Sequence, residues 1–173
     1  MKKILIVDDE VNIGLLLSKF LGKNGFEVKT ASTGASAFEI LSKEYFNLVM
    51  CDFRLEDTDG REVLKKIKHQ YPRTGVIIIT GYSDIKLAVE LIKMGAYDYI
   101  TKPLYPDEIL NTVNKAIETQ QVLNAELEES RSQPISETRQ EKKNVQILDD
   151  YVIGQSTAAK DLMRQIELVA PTT

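Results

Sequence analysis

Five short strand-like stretches alternate with five helical patterns over roughly residues 1–120, and that alternation leaves few folds open. The stretches are residues 3–7, 26–31, 48–51, 75–80 and 96–100. The clearest is Gly75-Val-Ile-Ile-Ile-Thr80, with four β-branched apolar residues in succession. Such a run suits a parallel strand covered on both faces. Between the runs, apolar residues recur at helical spacing. Val11, Leu15, Leu16, Phe20 and Leu21 predict the inward face of a first helix, closed by Asn24-Gly25. Phe38 and Leu41 mark a second, Val63, Leu64 and Ile67 a third, and Ile85, Val89 and Ile92 a fourth. Asp107 opens a fifth. Strand–helix alternation with short loops predicts an α/β fold, a doubly wound parallel sheet with helices on both faces and right-handed crossovers.

Composition narrows the function. The formal net charge of −4 argues against direct nucleic-acid binding, which generally needs a basic patch. One His and one Cys cannot form a zinc site of the usual kind. The lone Cys51 excludes an internal disulfide and fits a reducing compartment. No apolar run approaches the roughly 18 residues of a membrane span. The apolar run Ile4–Val7 is stopped by Asp8-Asp9-Glu10, too early for a signal peptide. A cytoplasmic location is expected, with no membrane partner.

A parallel sheet points all its strand C-termini one way, and ligands of open α/β sheets bind beyond that edge. Strand one ends at Asp8-Asp9, strand three at Asp52, strand four at Thr80 and strand five at Lys102. Each residue alone has an ordinary explanation as a cap, a turn former or a solvated charge. Together they put carboxylates, a hydroxyl and an ammonium on one edge. Crowded carboxylates call for a hard, oxygen-preferring cation such as Mg²⁺. A carboxylate can attack a phosphoryl group to form an acyl phosphate. The metal and a lysine can neutralise the charge on the phosphoryl oxygens. Asp52 is therefore the expected phosphoryl acceptor.

The set Asp8-Asp9, Asp52, Thr80 and Lys102-Pro103 resembles the receiver domain of bacterial two-component response regulators, over residues 1 to about 120. The resemblance implies a flavodoxin-like (βα)5 sheet in the order 2-1-3-4-5, phosphorylated by a sensor histidine kinase. It implies that Asp9, Asp52 and the backbone carbonyl of Arg54 hold Mg²⁺, with Asp8 assisting through water. It assigns Thr80 and Lys102 to the phosphoryl oxygens, Tyr99 to the switch aromatic and a cis bond to Lys102–Pro103. One departure stands out: receivers usually carry Pro four residues after the acceptor, and this chain has Glu56. Glu56-Asp57 is expected to add negative charge beside the site.

Further segments resemble sigma-54-dependent activators of the NtrC-like kind: Thr80-Gly-Tyr-Ser-Asp84, Met94 to Pro103, and Ile153-Gly-Gln-Ser156 followed by Ile166 to Pro171. The last two look like the opening of an AAA+ ATPase domain. The implied organisation is a receiver (1–120), an extended fifth helix with a coiled-coil seam (105–130), a flexible linker (131–146) and the start of an AAA+ domain (147–173). No Gly-rich Lys-Ser/Thr phosphate loop is present in the 173 residues, so this chain is not expected to be an enzyme. Ile109, Val113, Ala116, Gln120, Leu123, Leu127 and Ser130 are spaced alternately by four and three, an a/d seam over about three heptads. A homodimer through this seam and the face of helix four, strand five and helix five is expected. The other reading of the seam is a helix packed on its own domain for its first half. The competing function is a metal-dependent phosphatase or phosphotransferase using Asp52 as nucleophile. It usually needs a second aspartate two residues on, where this chain has Arg54.

Overall fold

The computed structural model describes residues 1–132. Its order is β1 (Lys3–Val7), α1 (Val11–Lys23), β2 (Glu27–Ala31), α2 (Gly34–Lys43), β3 (Leu48–Asp52), α3 (Gly60–Gln70), β4 (Gly75–Thr80), α4 (Ile85–Lys93), β5 (Asp98–Thr101) and α5 (Pro106–Ser132). All strand pairs are parallel, as the alternation predicts, and the sheet order is 2-1-3-4-5, as the receiver resemblance implies. The expected linker at 131–146 lies almost entirely outside the described residues, and the AAA+ fragment at 147–173 wholly so.

The sheet divides the core into two layers by the period-2 alternation of its strands. Leu5, Val7, Val49, Cys51, Val76 and Ile78 face α2, α3 and α4. Ile4, Ile6, Leu48, Met50, Ile77 and Ile79 face α1 and α5. Both faces of β3 and β4 are fully buried, which is why these strands read as unbroken apolar runs rather than alternating ones.

Two helix faces differ from the sequence reading. In α1 the buried residues are Gly14, Leu17 and Leu21, while Val11, Leu15 and Leu16 are 66%, 53% and 62% exposed. Gly14 is the contact point: a Cβ there would meet the Thr30 side chain at 3.7 Å, so the helix backbone lies close to β2. In α4 the buried residues are Ala88, Leu91 and Ile92, and Ile85 is exposed. Ile85 is the first helical residue. In both helices a small residue, Gly14 or Ala88, permits the close packing, and small residues carry little weight in a hydrophobic pattern.

The heptad seam is also divided. Ile109, Val113, Ala116 and Gln120 are buried against the domain's own sheet, where Ile77, Ile79 and Ile100 need a cover. Of its apolar positions only Leu123, half-buried, and Leu127, 47% exposed, remain for another chain, with Ser130 exposed beyond them. Beyond the sheet, α5 stays attached through polar contacts to the α3–β4 loop. Gln120 Nε2 donates to the Pro72 carbonyl (3.4 Å), Asn124 Nδ2 to the Arg73 carbonyl (3.1 Å), and Arg73 pairs with Glu128 at 2.9 Å. Among the described residues, no helix is long and apolar enough to cross a membrane.

Candidate functional site

The C-terminal ends of β1, β3, β4 and β5 converge on a pocket of about 530 Å³ lined by Asp9, Glu10, Asp52, Phe53, Arg54, Thr80, Gly81, Tyr82 and Lys102. Asp52 is the last residue of β3 and Thr80 the last of β4, both nearly fully buried. Lys102 follows β5, its N–H bonded to the Thr80 carbonyl at 2.8 Å. The Lys102–Pro103 peptide is cis. The lysine ammonium reaches three acids: Glu10 Oε1 at 3.3 Å, Asp52 Oδ2 at 3.5 Å and Asp8 Oδ2 at 3.8 Å. Thr80 Oγ1 accepts the Tyr82 N–H at 3.0 Å, which leaves the hydroxyl hydrogen free to donate.

One ammonium among these carboxylates does not balance them. Burial pushes the Asp8 carboxyl up to about 6, opposed by the Glu10 N–H and reinforced by Asp52. Burial also raises Asp52, against the pull of Lys102 and with a further push from Asp9. Burial alone would lower Lys102, but the charges of Asp52, Asp8 and Glu10 outweigh it and hold the ammonium above its ordinary range. Asp8 Oδ2 is the one buried side-chain oxygen or nitrogen without a hydrogen-bond partner among the described residues. One carboxylate oxygen each from Asp8, Glu10 and Asp52 lies within 4.8 Å of the others. A buried oxygen without a donor, in a group of hard acidic ligands, fits a divalent cation such as Mg²⁺.

The sequence-derived residues fall into place unevenly. Asp8, Asp52, Thr80 and Lys102 come together. Asp9 lines the same pocket, but the carboxylate trio within 4.8 Å contains Glu10 in its place, paired with Lys102. Arg54 is at the pocket wall, its guanidinium 4.7 Å from the centroid of the Tyr82 ring. Tyr99 pairs with Ile78 in the sheet and is half-buried against the α2–α3–α4 layer, two residues before Thr101 and three before Lys102. Sequence reasoning missed Glu10 and Tyr82. Glu10 continues the acidic run after β1, but a Glu at a helix start reads first as a first-turn acid. Glu56-Asp57 was expected to add negative charge beside the site, and Asp57 has a partner of its own. Its carboxylate is bonded to the N–H groups of Gly34 and Ala35, both at 2.9 Å.

The architecture and the site have relatives among known proteins. Residues 4–114 match the family model described as the response regulator receiver domain. The chain is 34% identical over 169 residues to the transcriptional regulatory protein ZraR of Escherichia coli O157:H7, covering 98% of this chain and 35% of ZraR. It thus spans about a third of the length of that relative. Among solved structures, the receiver domain of NtrX from Brucella abortus aligns at a TM-score of 0.64 and 38% identity, covering 67% of this chain and 98% of that one. The beryllofluoride-activated NtrC4 receiver domain dimer aligns at 0.67 and 35%, covering 69% and 99%. With a family match spanning the sheet and every strand tip that lines the pocket, the chain belongs to the response regulator receiver domains.

Proposed function

We propose that Asp52 is the phosphoryl acceptor of this receiver domain. The observation that carries this is the Lys102 ammonium, 3.5 Å from Asp52 at the floor of an open pocket, with the Thr80 hydroxyl on the adjacent strand end. A carboxylate oxygen of Asp52 attacks phosphorus, a P–O bond forms, and the bond to the donor breaks with its electron pair leaving on the donor atom. For a histidine kinase that atom is an imidazole nitrogen. Lys102 holds the Asp52 carboxylate in place and is ready to pair with a phosphoryl oxygen. Thr80 has a hydrogen to donate to another. Asp8, Asp9, Asp52 and the Arg54 carbonyl would hold Mg²⁺, with Glu10 close enough to join them. Bound there, the ion would neutralise charge on the transferring phosphoryl oxygens.

The rest of the reading follows from the same site. Drawing Thr80 toward a phosphoryl group would change the surroundings of Tyr99 and Pro103 and remodel the α4–β5–α5 face. The chain acts as a regulatory switch, not an enzyme, and resides in the cytoplasm. Residues 1–120 form the receiver, 105–130 the extended helix, 131–146 a linker, and 147–173 the start of the AAA+ domain of a sigma-54-dependent activator. Two copies pair through the α4–β5–α5 face and the outer part of α5; pairing as such is supported by the dimer formed by the NtrC4 receiver. The test is labelling by a small phosphodonor such as acetyl phosphate with Mg²⁺. Asp52→Asn should abolish it, and unchanged labelling would sink the assignment. Saturable turnover of an unrelated phosphate ester would favour a phosphatase instead.

A further inference from the structure

The loop joining β3 to α3, residues 53–59, is closed at its base. Gly60 N–H donates to the Phe53 carbonyl at 2.7 Å, Leu55 N–H to the Thr58 carbonyl at 3.2 Å, and Arg54 pairs with Asp59 as an isolated bridge. Its tip is fastened to a different element. Asp57 Oδ1 accepts from Gly34 N–H and Oδ2 from Ala35 N–H, each at 2.9 Å. A helix begins with N–H groups that have no partner within it. In α2 the cap side chain, Thr33 Oγ1, accepts the Ser36 N–H. Asp57 takes the two before it, so one helix start is completed by side chains from two segments. The positive end of the helix favours that carboxylate. The junction is also packed tight: a Cβ on Gly34 would be 2.6 Å from Thr58 Cγ2.

We propose that Asp57 is a positioning residue for phosphoryl transfer. Its clamp on α2 fixes the loop whose second residue, Arg54, supplies the carbonyl of the metal set, and it does the stiffening that proline at position 56 would otherwise do. This rests on the reading of Asp52 as the acceptor. Proline stiffens a loop by fixing its φ and reducing the freedom of the unfolded chain. Glu56 does neither, and it is exposed. The clamp fixes the same loop from outside, one residue further on.

The test uses the whole chain in four variants: Asp57→Ala, Asp57→Asn, Asp57→Ala combined with Glu56→Pro, and Asp52→Asn. Mg²⁺ affinity is measured by calorimetric titration, and the rate of acyl-phosphate formation with acetyl phosphate. Circular dichroism checks the fold. Asp57→Ala should weaken Mg²⁺ binding about ten-fold, the scale of losing an outer support of a metal site. Asp57→Asn should fall between, because its one amide oxygen still accepts a hydrogen bond. Adding Glu56→Pro to Asp57→Ala should recover most of the loss, which a merely structural defect in α2 would not allow. If Asp57→Ala fails to fold, Asp57→Asn carries the comparison. Unchanged affinity and rate in the folded Asp57 variants, or no recovery by Glu56→Pro, would overturn the clamp while Asp52→Asn remains unlabelled. Continued labelling of Asp52→Asn would overturn both readings.

Discussion

The Arg54 guanidinium lies over the Tyr82 ring, 4.7 Å from its centroid, and this stack walls one side of the pocket around Asp52. An exposed cation–π contact contributes about 0.5–1 kcal/mol, enough to bias the position of two side chains without locking them. Arg54→Ala keeps the backbone carbonyl and should leave Mg²⁺ binding nearly intact. It should also open the pocket to water and shorten the life of the acyl phosphate several-fold. A decay time course after removal of excess phosphodonor checks this, and an unchanged lifetime would rule out shielding by the stack.

Mg²⁺ should stabilise the fold, because it would bind the native carboxylates and has no such site in the unfolded chain. A concentration one hundred times the dissociation constant corresponds to about 2.7 kcal/mol. Thermal melts with and without Mg²⁺ should therefore differ by several degrees. Asp9→Ala should lose most of that shift, and Arg54→Ala should keep it.

The two halves of the α5 seam should respond in opposite ways. Leu127→Asp changes a residue 47% exposed and should weaken self-association while leaving the monomer's melting temperature nearly unchanged. Ala116→Asp would bury an unpaired charge at a position 1% exposed and should unfold the domain, at a cost of several kcal/mol. Analytical ultracentrifugation together with thermal melts separates the two. A dimer that survives Leu127→Asp would move the interface away from the outer part of α5.

Lys68 predicts a rise of stability in alkali. Burial lowers its ammonium from 10.5 to about 8. The side-chain stem lies against Gly95 and Nζ donates to the Thr74 carbonyl at 3.0 Å. Between about pH 8 and pH 10.5 the unfolded chain holds this proton and the folded one does not. Unfolding then takes up a proton, so stability increases as pH rises through that window. The destabilisation is complete below it, on the order of 1–3 kcal/mol. Urea unfolding at pH 7 and pH 9.5 should show the increase in the native chain and a much smaller one in Lys68→Met.

What the sequence made legible follows from range. The central strands β3 and β4 could be read because Leu48 to Cys51 and Val76 to Ile79 are buried on both faces, so local composition reports a global fact. The reactive edge could be read because parallel strands force Asp8, Asp52, Thr80 and Lys102 to the same end. The α1 and α4 faces were misread where a small residue made the contact. The Asp57 clamp spans 23 residues of sequence to Gly34, and no local pattern announces such a partner. The side chain of Glu10 pairs with Lys102, 92 residues away, a partner no local pattern shows. The first half of the seam carries a heptad spacing that its own sheet uses, and a period cannot say which surface it will meet.

The attachment of α5 to Pro72 and Arg73 makes that loop a mounting, and the mounting aims the helix. The same loop leads into β4, whose far end is Thr80. One straight strand, about 17 Å from end to end, therefore joins the reactive edge to the point that sets the helix's bearing. From Gln120 to Ser132 the helix runs about 18 Å. A change of about 10° in its tilt would swing the tip by roughly 3 Å over that length. The place of Ser132 is thus an angle set at the base of the domain, with no need for the reactive pocket to touch the helix tip.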